Sequence, residues 1–330
     1  MFDGYYNFNN NHPASGLNQF YNFDDRGNQV DLNLLKMTVR HDASPIGFQV
    51  DVGFGRAFQI MHAPGPDPDA FRFLEQAYIS VKPKGWKGFE ADFGEFVTSA
   101  GSEVIESKDN WNYSRSYLFA FGPYYHFGIR TTMPIGQSLT VGLQLVNGWN
   151  AVVDNYGNNM QTVGLTSTVS RKKFTWSNNY YVGEQDSPTL TGVRNYYDTA
   201  LLLTPTSKLS AYVNYDYGRQ HAVTETAERS LHHWQGIAGA LHWQVTQRFA
   251  VSPRLEYFDD ATGFATGMAQ KLHEFTITGE YRLFDGVLTR AEFRRDDSNV
   301  PYFDRGNETA RSKSQTTATI ALIAFFPSKK

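Results

Sequence analysis

Apolar and polar residues take turns along this chain in short stretches that recur about every twenty residues, from one end to the other. Within 137–150, Leu139, Val141, Leu143, Leu145 and Trp149 fall on one side, and Thr140, Gly142, Gln144 and Asn150 fall on the other. A strand sends successive side chains to opposite faces, so such a stretch is a ribbon with one apolar and one mostly polar face. A closed ring of these ribbons, apolar outside and wet inside, is the β-structure that can span a bilayer.

The strand pattern predicts about sixteen strands, near 2–10, 29–41, 45–56, 75–83, 86–97, 116–132, 137–149, 159–170, 172–183, 194–204, 207–219, 231–245, 247–258, 269–282, 286–296 and 315–327. No stretch has a sustained helical period. A bulge is expected in the second strand, because Leu32 and Leu34 share a phase while Leu35, Met37 and Val39 take the other. The links alternate. Short ones at 41–45, 83–85, 134–136, 170–171, 205–206, 246–247 and 284–286 separate longer ones at 11–28, 57–74, 98–115, 150–158, 184–193, 220–230, 259–268 and 297–314. Tight periplasmic turns and long outer loops have this order in an outer-membrane barrel. The expected architecture is therefore all-β: a transmembrane, antiparallel, up-and-down barrel of about sixteen strands. It is read as one domain over 1–330, with both chain ends in the periplasm. The opening Met1-Phe2-Asp3-Gly4-Tyr5-Tyr6 already reads as a strand, which leads us to expect an exported, mature form.

Composition agrees with this reading. The longest purely apolar run, 320–326, is far short of the roughly 20 residues that a spanning helix needs. Aromatic residues make up 15% of the 330, enough to build girdles at two membrane interfaces. Cysteine is absent, so the chain has no disulfide framework and no thiolate chemistry. A net charge of −3 gives no reason to expect a nucleic-acid partner.

The two phases differ in charge. The outward set includes Phe48, Val50, Ile79, Phe93, Leu165, Val213, Leu241, Trp243, Leu255, Phe275, Ile277 and Phe293. The inward set carries most strand charges: Arg40, Asp51, Lys82, Glu90, Asp92, Arg130, Asp198, Asp216, Arg254, Glu256, Glu274, Glu280, Arg282, Arg290, Glu292 and Arg294. A cation facing lipid at mid-bilayer costs about 2–4 kcal/mol, so this segregation favours a membrane barrel. The lumen of such a barrel is expected to be wide enough for these charges to stay in water without pairing. Arg56 and Glu95 share the outward phase and are expected near strand ends, at headgroup level. Two stacked soluble sheets would alternate in the same way, but they would not explain the link lengths.

The third long link, 98–115, is expected to fold into the lumen and narrow it. It carries Glu103, Glu106, Lys108, Asp109 and Arg115. Facing a basic wall of Arg40, Arg130, Arg254, Arg282, Arg290 and Arg294, it would set up a transverse field. Asp51, Glu90, Asp92, Glu256, Glu274, Glu280 and Glu292 complete the expected acidic lining. The nine histidines are scattered, and adjacent His232 and His233 point to opposite faces, so no metal site is expected. The clusters at 63–68 and 154–159 read as loop and turn formers.

Asn110-Trp111-Asn112-Tyr113-Ser114-Arg115-Ser116, then Pro123 and His126-Phe127-Gly128-Ile129-Arg130, resembles a stretch of the putative β-barrel porin-2, OmpL-like family of bacterial outer-membrane proteins. Asn147-Gly148-Trp149-Asn150 and Asp3-Gly4-Tyr5-Tyr6 fit as well. The resemblance implies an outer-membrane porin and supplies no catalytic residue. The leading functional expectation is passive diffusion of small hydrophilic solutes or ions through a pore in outer-membrane lipid, with no cofactor and with a homotrimer as a plausible assembly. The rivals are a plugged barrel that serves as a surface binding or structural protein, and a barrel lipase or protease. For an enzyme no Ser/His or Asp/His motif stands out.

Overall fold

A computed structural model of the protein describes residues 1–62, 67–153, 161–184, 192–223 and 229–326. Most of the clusters at 63–68 and 154–159 lie outside these residues. Sixteen strands close one barrel. They are β1 (Phe2–Asn9), β2 (Gln29–His41), β3 (Ile46–Phe54), β4 (Leu74–Val81), β5 (Glu90–Val97), β6 (Tyr125–Ile135), β7 (Leu139–Val146) and β8 (Thr162–Arg171). The wall continues through β9 (Phe174–Glu184), β10 (Val193–Leu203), β11 (Leu209–Val223), β12 (Arg229–Gln244), β13 (Phe249–Asp260), β14 (Gln270–Phe284) and β15 (Val287–Ser298). A small hairpin, β16 (Phe303–Arg305) with β17 (Asn307–Ser312), interrupts the last outer link before β18 (Ser314–Ala324). Each strand pairs antiparallel with its neighbours, and β1 closes the ring against β18, with Tyr5 opposite Ala321.

The expected up-and-down barrel is thus the observed one, and the differences are local. The β1–β2 pairing skips Asn33, at the expected bulge. β11 and β12 run on to Val223 and from Arg229, so strand occupies most of the expected 220–230 link. The predicted strand 116–132 is the largest error. Its first half is not sheet: Tyr117–Ala120 forms one helical turn, and β6 begins only at Tyr125. The run Tyr117-Leu118-Phe119-Ala120-Phe121 is continuously apolar rather than alternating, and Gly122-Pro123 follows. Proline has no N–H for a sheet ladder, which explains why pairing starts only after it.

Two glycines allow close approach in the wall beside this insertion. Gly94 on β5 and Gly128 on β6 stand opposite each other, with φ of 134° and 153°. A Cβ on either would lie 2.2 Å from a neighbouring carbonyl oxygen, that of Ala77 or of Leu145. Glycine allows both the backbone conformation and the close approach.

The outer face follows the expected phase. Ile79, Phe93, Leu165, Val213, Trp243, Leu255 and Ile277 are all exposed on the wall. The two off-phase charges need correction. Arg56 opens a short helix, Arg56–Met61, and pairs with Asp25 at 2.6 Å. Glu95 is fully buried, 3.8 Å from the His62 ring, so loop structure rather than headgroups covers it.

The lumen also departs from expectation. Arg254, Arg290, Arg294, Glu256, Glu274 and Glu292 are all buried, not bathed in water. The interior is filled by the third outer link, 98–124, and by the first, 10–28. At the outer-loop end the inward phase itself becomes apolar. Tyr196, Trp234, Phe258 and Leu272 point inward there and pack with Tyr117, Leu118, Phe121 and Phe20. This aromatic core explains why a barrel of sixteen strands is not simply a wide, open tube.

Candidate pore constriction

The inward residues of β13, β14, β15 and β18 form lateral rows, because register carries each position across the wall. Glu256, Glu274, Asp296 and Gln315 make one row. One step toward the short turns, Arg254, Thr276, Arg294 and Thr317 make the next. Ser252, Thr278, Glu292 and Thr319 follow, then Ala250, Glu280, Arg290 and Ala321. An acidic, a basic and an acidic row therefore follow one another down the inside of the wall, and the fourth holds one charge of each sign.

Segment 98–124 crosses in front of these rows with little regular structure, so its backbone groups need partners elsewhere. The rows supply them. Glu256 accepts the N–H groups of Tyr117 and Leu118 at 2.7 and 2.9 Å, the orphan donors of the short helix's first turn. Glu292 accepts from the N–H groups of Tyr113 and Ser114 at 2.5 and 2.9 Å. Arg254 donates to the Ser114 carbonyl, Arg294 to the Arg115 carbonyl and Arg290 to the Ser107 carbonyl, at 2.7, 2.7 and 2.5 Å. Acids thus meet N–H groups and arginines meet carbonyls, so charge-assisted hydrogen bonds hold an irregular peptide inside the barrel.

Side chains add further ties. Arg254 pairs with Glu103 of the segment at 2.6 Å and with Glu274 of the wall at 3.0 Å. Tyr117 donates its hydroxyl to Asp296 at 2.6 Å. On β1, the strand next to β18 in the wall, Asp3 accepts from Ser107 at 2.7 Å and from the Tyr113 hydroxyl at 2.9 Å. Lys36 on β2 pairs with Glu75 at 2.7 Å and also with Glu106. Burial alone would raise the Glu106 carboxyl, but the Lys36 charge and hydrogen bond outweigh it and hold the group below the usual carboxylate range. On the β9–β11 side, Asn179 and Asn214 reach the segment at Ser99 and Ser102.

The first loop lies over this segment. Phe20 stacks on Tyr302 and meets Tyr117, Phe121 and Phe303 edge-on. Phe23 is fully buried against Phe119 and Tyr124, beneath the Arg115 guanidinium. Asp24 is buried beside them, and neither carboxylate oxygen has a hydrogen-bond partner. Burial pushes its carboxyl up to about 8; Glu292 adds to the shift, while Arg115 and Arg294 oppose it.

The sixteen residues expected to line the pore divide into three groups. Arg254, Arg290, Arg294, Glu256, Glu274, Glu280 and Glu292 form the rows, and all but Glu280 are almost wholly shielded from solvent; Glu280 pairs with Arg290 at 2.7 Å. Glu103 and Glu106 sit on the segment in ion pairs with the wall, and Asp109 pairs with its neighbour Lys108. The remaining residues lie elsewhere on the inner wall. Arg130 binds Asp92 at 2.7 Å, Asp51 accepts from Gln76 at 2.7 Å, and Glu90 pairs with Lys82 at 2.9 Å. Arg40 is exposed and pairs with Asp42 at 2.7 Å, and Arg282 is exposed. Acidic segment and basic wall are therefore in contact rather than facing each other across a gap.

Sequence reasoning assigned no role to Asp3, Lys36, Glu75 or Asp296, although each occupies the inward phase of its strand. It also missed the first loop as a lumen element. The inward-phase aromatics Trp234 and Phe258 were the available signal, since an apolar surface inside a wet tube needs a cover.

Beneath the segment, two hollows remain. One is lined by Lys36, Thr38, Arg40, Gln49, Asp51 and Glu106. The other, about 260 Å³, is lined by Glu103, Asp109, Trp111, Thr175, Ser177 and Tyr212. Each hollow combines these side chains with an apolar remainder, which in the first includes Leu35, Met37, Val52, Phe54 and Phe325.

Solved outer membrane proteins share this architecture. The outer membrane channel DcaP of Acinetobacter baumannii superposes with a TM-score of 0.66 at 10% identity, over 98% of this chain and 95% of that one. The anion-selective porin from Comamonas acidovorans gives 0.65 at 11% identity, over 98% and 97%. The trimer form of the outer membrane protein OmpT of Vibrio cholerae gives 0.62 at 11%, over 98% of each chain. No curated protein sequence matches the chain. The family model described as putative beta-barrel porin-2, OmpL-like, matches residues 1–326. Barrel, lipid-facing exterior, inserted loop and family match lead to one conclusion: the chain belongs to this porin family and forms a channel protein of the bacterial outer membrane.

Proposed function

We propose that this porin lets small hydrophilic solutes or ions diffuse passively past the inserted segment, along the polar side chains of the two hollows beneath it. The reading rests on one observation: segment 98–124 is bound to the inner wall by charge-assisted hydrogen bonds, and hollows that Lys36, Arg40, Asp51, Glu103 and Asp109 help to line remain beneath it. The row residues and Glu103, Glu106 and Asp109 shape the narrowest part. Because these charges are mutually paired, the net field across the lumen is small and ion preference is modest. The chain acts as a single barrel without catalysis, assembled as a homotrimer in outer-membrane lipid. A trimer form among the structural neighbours supports that assembly.

Planar-bilayer recording tests the reading. Purified protein should insert and give discrete conductance steps, with a reversal potential close to zero in a salt gradient. Insertion without conductance above background would refute an open pore. A second reading has its own support, since an aromatic core around Phe20, Tyr117 and Phe258 packs into the outer half of the lumen. If the barrel is a plugged binding protein, the intact chain is silent and deleting 13–26 raises conductance.

A further inference from the structure

The short-turn rim of the barrel is not uniform. Three successive turns, between β8 and β9, β10 and β11, and β12 and β13, carry Arg171, Lys172, Lys173, Lys208 and Arg248, all exposed. No aspartate or glutamate occurs within 170–176, 203–210 or 244–250. Elsewhere on the rim Arg40 pairs with Asp42 and Lys82 with Glu90, while Lys84 and Lys87 are exposed on the turn between β4 and β5 and Arg282 near the end of β14. An arc of unmatched positive charge therefore covers one side of the periplasmic end.

Its height relative to the membrane identifies what it meets. The exposed lipid-facing side chains nearest this end include Trp176, Leu203, Leu209, Trp243 and Tyr281, and Leu209 pairs directly with Trp243. Tryptophan and tyrosine concentrate at the boundary between hydrocarbon and headgroups. Lys173 precedes Trp176 by three residues, which is about 10 Å along a strand, or about 7 Å along the membrane normal at a tilt near 45°. The headgroup layer of one leaflet is about 5–8 Å thick. The cations accordingly lie at the level of the inner-leaflet phosphates.

A groove on the same rim has a matching shape. Ile135 and Leu139 form its apolar side, and Ser138, Ser170, Arg171 and Lys172 form its polar side. Acyl carbons fit the first pair. A phosphate fits the second, taking charge from Arg171 and Lys172 and hydrogen bonds from the serine hydroxyls. We propose that this arc is a binding surface for anionic phospholipid of the inner leaflet, phosphatidylglycerol or its dimer cardiolipin, with one headgroup seated in the groove at Arg171 and Lys172. The surface is separate from the pore, so the proposal stands whether or not the barrel conducts.

The test is lipid exchange on the intact, detergent-purified porin, read by native mass spectrometry with phosphatidylglycerol, cardiolipin or phosphatidylcholine added. The wild type should retain the anionic lipids over phosphatidylcholine. A cation near an anionic leaflet contributes about fivefold to binding, so R171Q/K172Q/K173Q should weaken retention on the order of 100-fold. The charge-preserving R171K/K172R/K173R should keep it. Conductance should be the same in all three proteins. If the glutamine variant fails to give the heat-modifiable gel shift of a folded barrel, K208Q/R248Q on the neighbouring turns replaces it, with an expected loss on the order of tenfold or more. Equal binding of phosphatidylcholine, or unchanged phosphatidylglycerol binding by the glutamine variants, would overturn the proposal. Displacement of the lipid by soluble anionic cell-wall fragments or inorganic phosphate at matched charge would overturn it too, and would identify the arc as a site for periplasmic anions.

Discussion

Replacing Arg254 by glutamine should loosen the inserted segment without unfolding the barrel. The guanidinium is wholly buried and serves four acceptors: Glu103 at 2.6 Å, Glu274 at 3.0 Å, and the Ser114 carbonyl and hydroxyl at 2.7 and 3.4 Å. Its removal takes the shared cation from two buried carboxylates, Glu103 and Glu274. Breaking a buried pair in this way costs about 3–5 kcal/mol. The wall cannot relieve that cost, because Glu274 is fixed by the sheet, whereas the segment can, by swinging Glu103 out into water. The penalty therefore falls on docking and shifts the docked-to-free ratio by about 10²- to 10³-fold or more. Glu103→Gln should do less, about 1.5–3 kcal/mol, since Arg254 keeps Glu274 and the carbonyl. Single-channel recording reads the difference: R254Q should show larger or noisier open levels than E103Q, and E103Q than wild type. Hydrogen exchange at Tyr113 and Ser114 should rise in the same order, while the folded barrel keeps its gel mobility. If R254Q matches wild type in both current and exchange, the segment is not held by these charges and the account of the constriction is wrong.

Other outcomes follow from the same contacts. The Asp24 carboxyl titrates near 8 when the first loop is seated, against about 4 in water, so the seated state holds the proton more tightly. Seating should be strongest below about pH 4 and weaken progressively as pH rises toward 8. Spin-label mobility at Leu17 should increase over that window in the wild type and stay flat in Asp24→Asn; an identical pH profile in both would exclude Asp24 as the titrating group. Lipid exposure of the wall can be read from tryptophan fluorescence. Trp176 and Trp243, 45% and 55% exposed, should be quenched by brominated lipids, whereas Trp234, 2% exposed on the lumen side, should not. Equal quenching of all three would place the wrong face toward lipid.

Much of the fold was legible because a strand's side-chain period is two and a membrane barrel has a different medium on each face. Leu139, Val141 and Leu143 announce β7 without help from any distant residue. Register between neighbours follows from the same alternation, since a slip by one residue would turn Arg254 or Glu292 into lipid. The family motif at 110–116 was legible as a motif, and its residues prove to be those that touch the wall. Tyr117–Ala120 was misread because a five-residue apolar run carries no period that separates a short helix from a strand.

Alternation could not say what fills the tube. A polar inward phase is equally compatible with water and with a peptide whose N–H and carbonyl groups need partners, and both require charged side chains. Only closure of the ring brings Glu103 to Arg254, 151 positions apart, and Asp3 to Tyr113, 110 positions apart. The sequence by itself therefore determined which side of each strand meets oil, a local property repeated along the chain. Tertiary structure decided how far the inner side stays wet. That depends on where the first and third loops find room and hydrogen-bond partners once the barrel is closed.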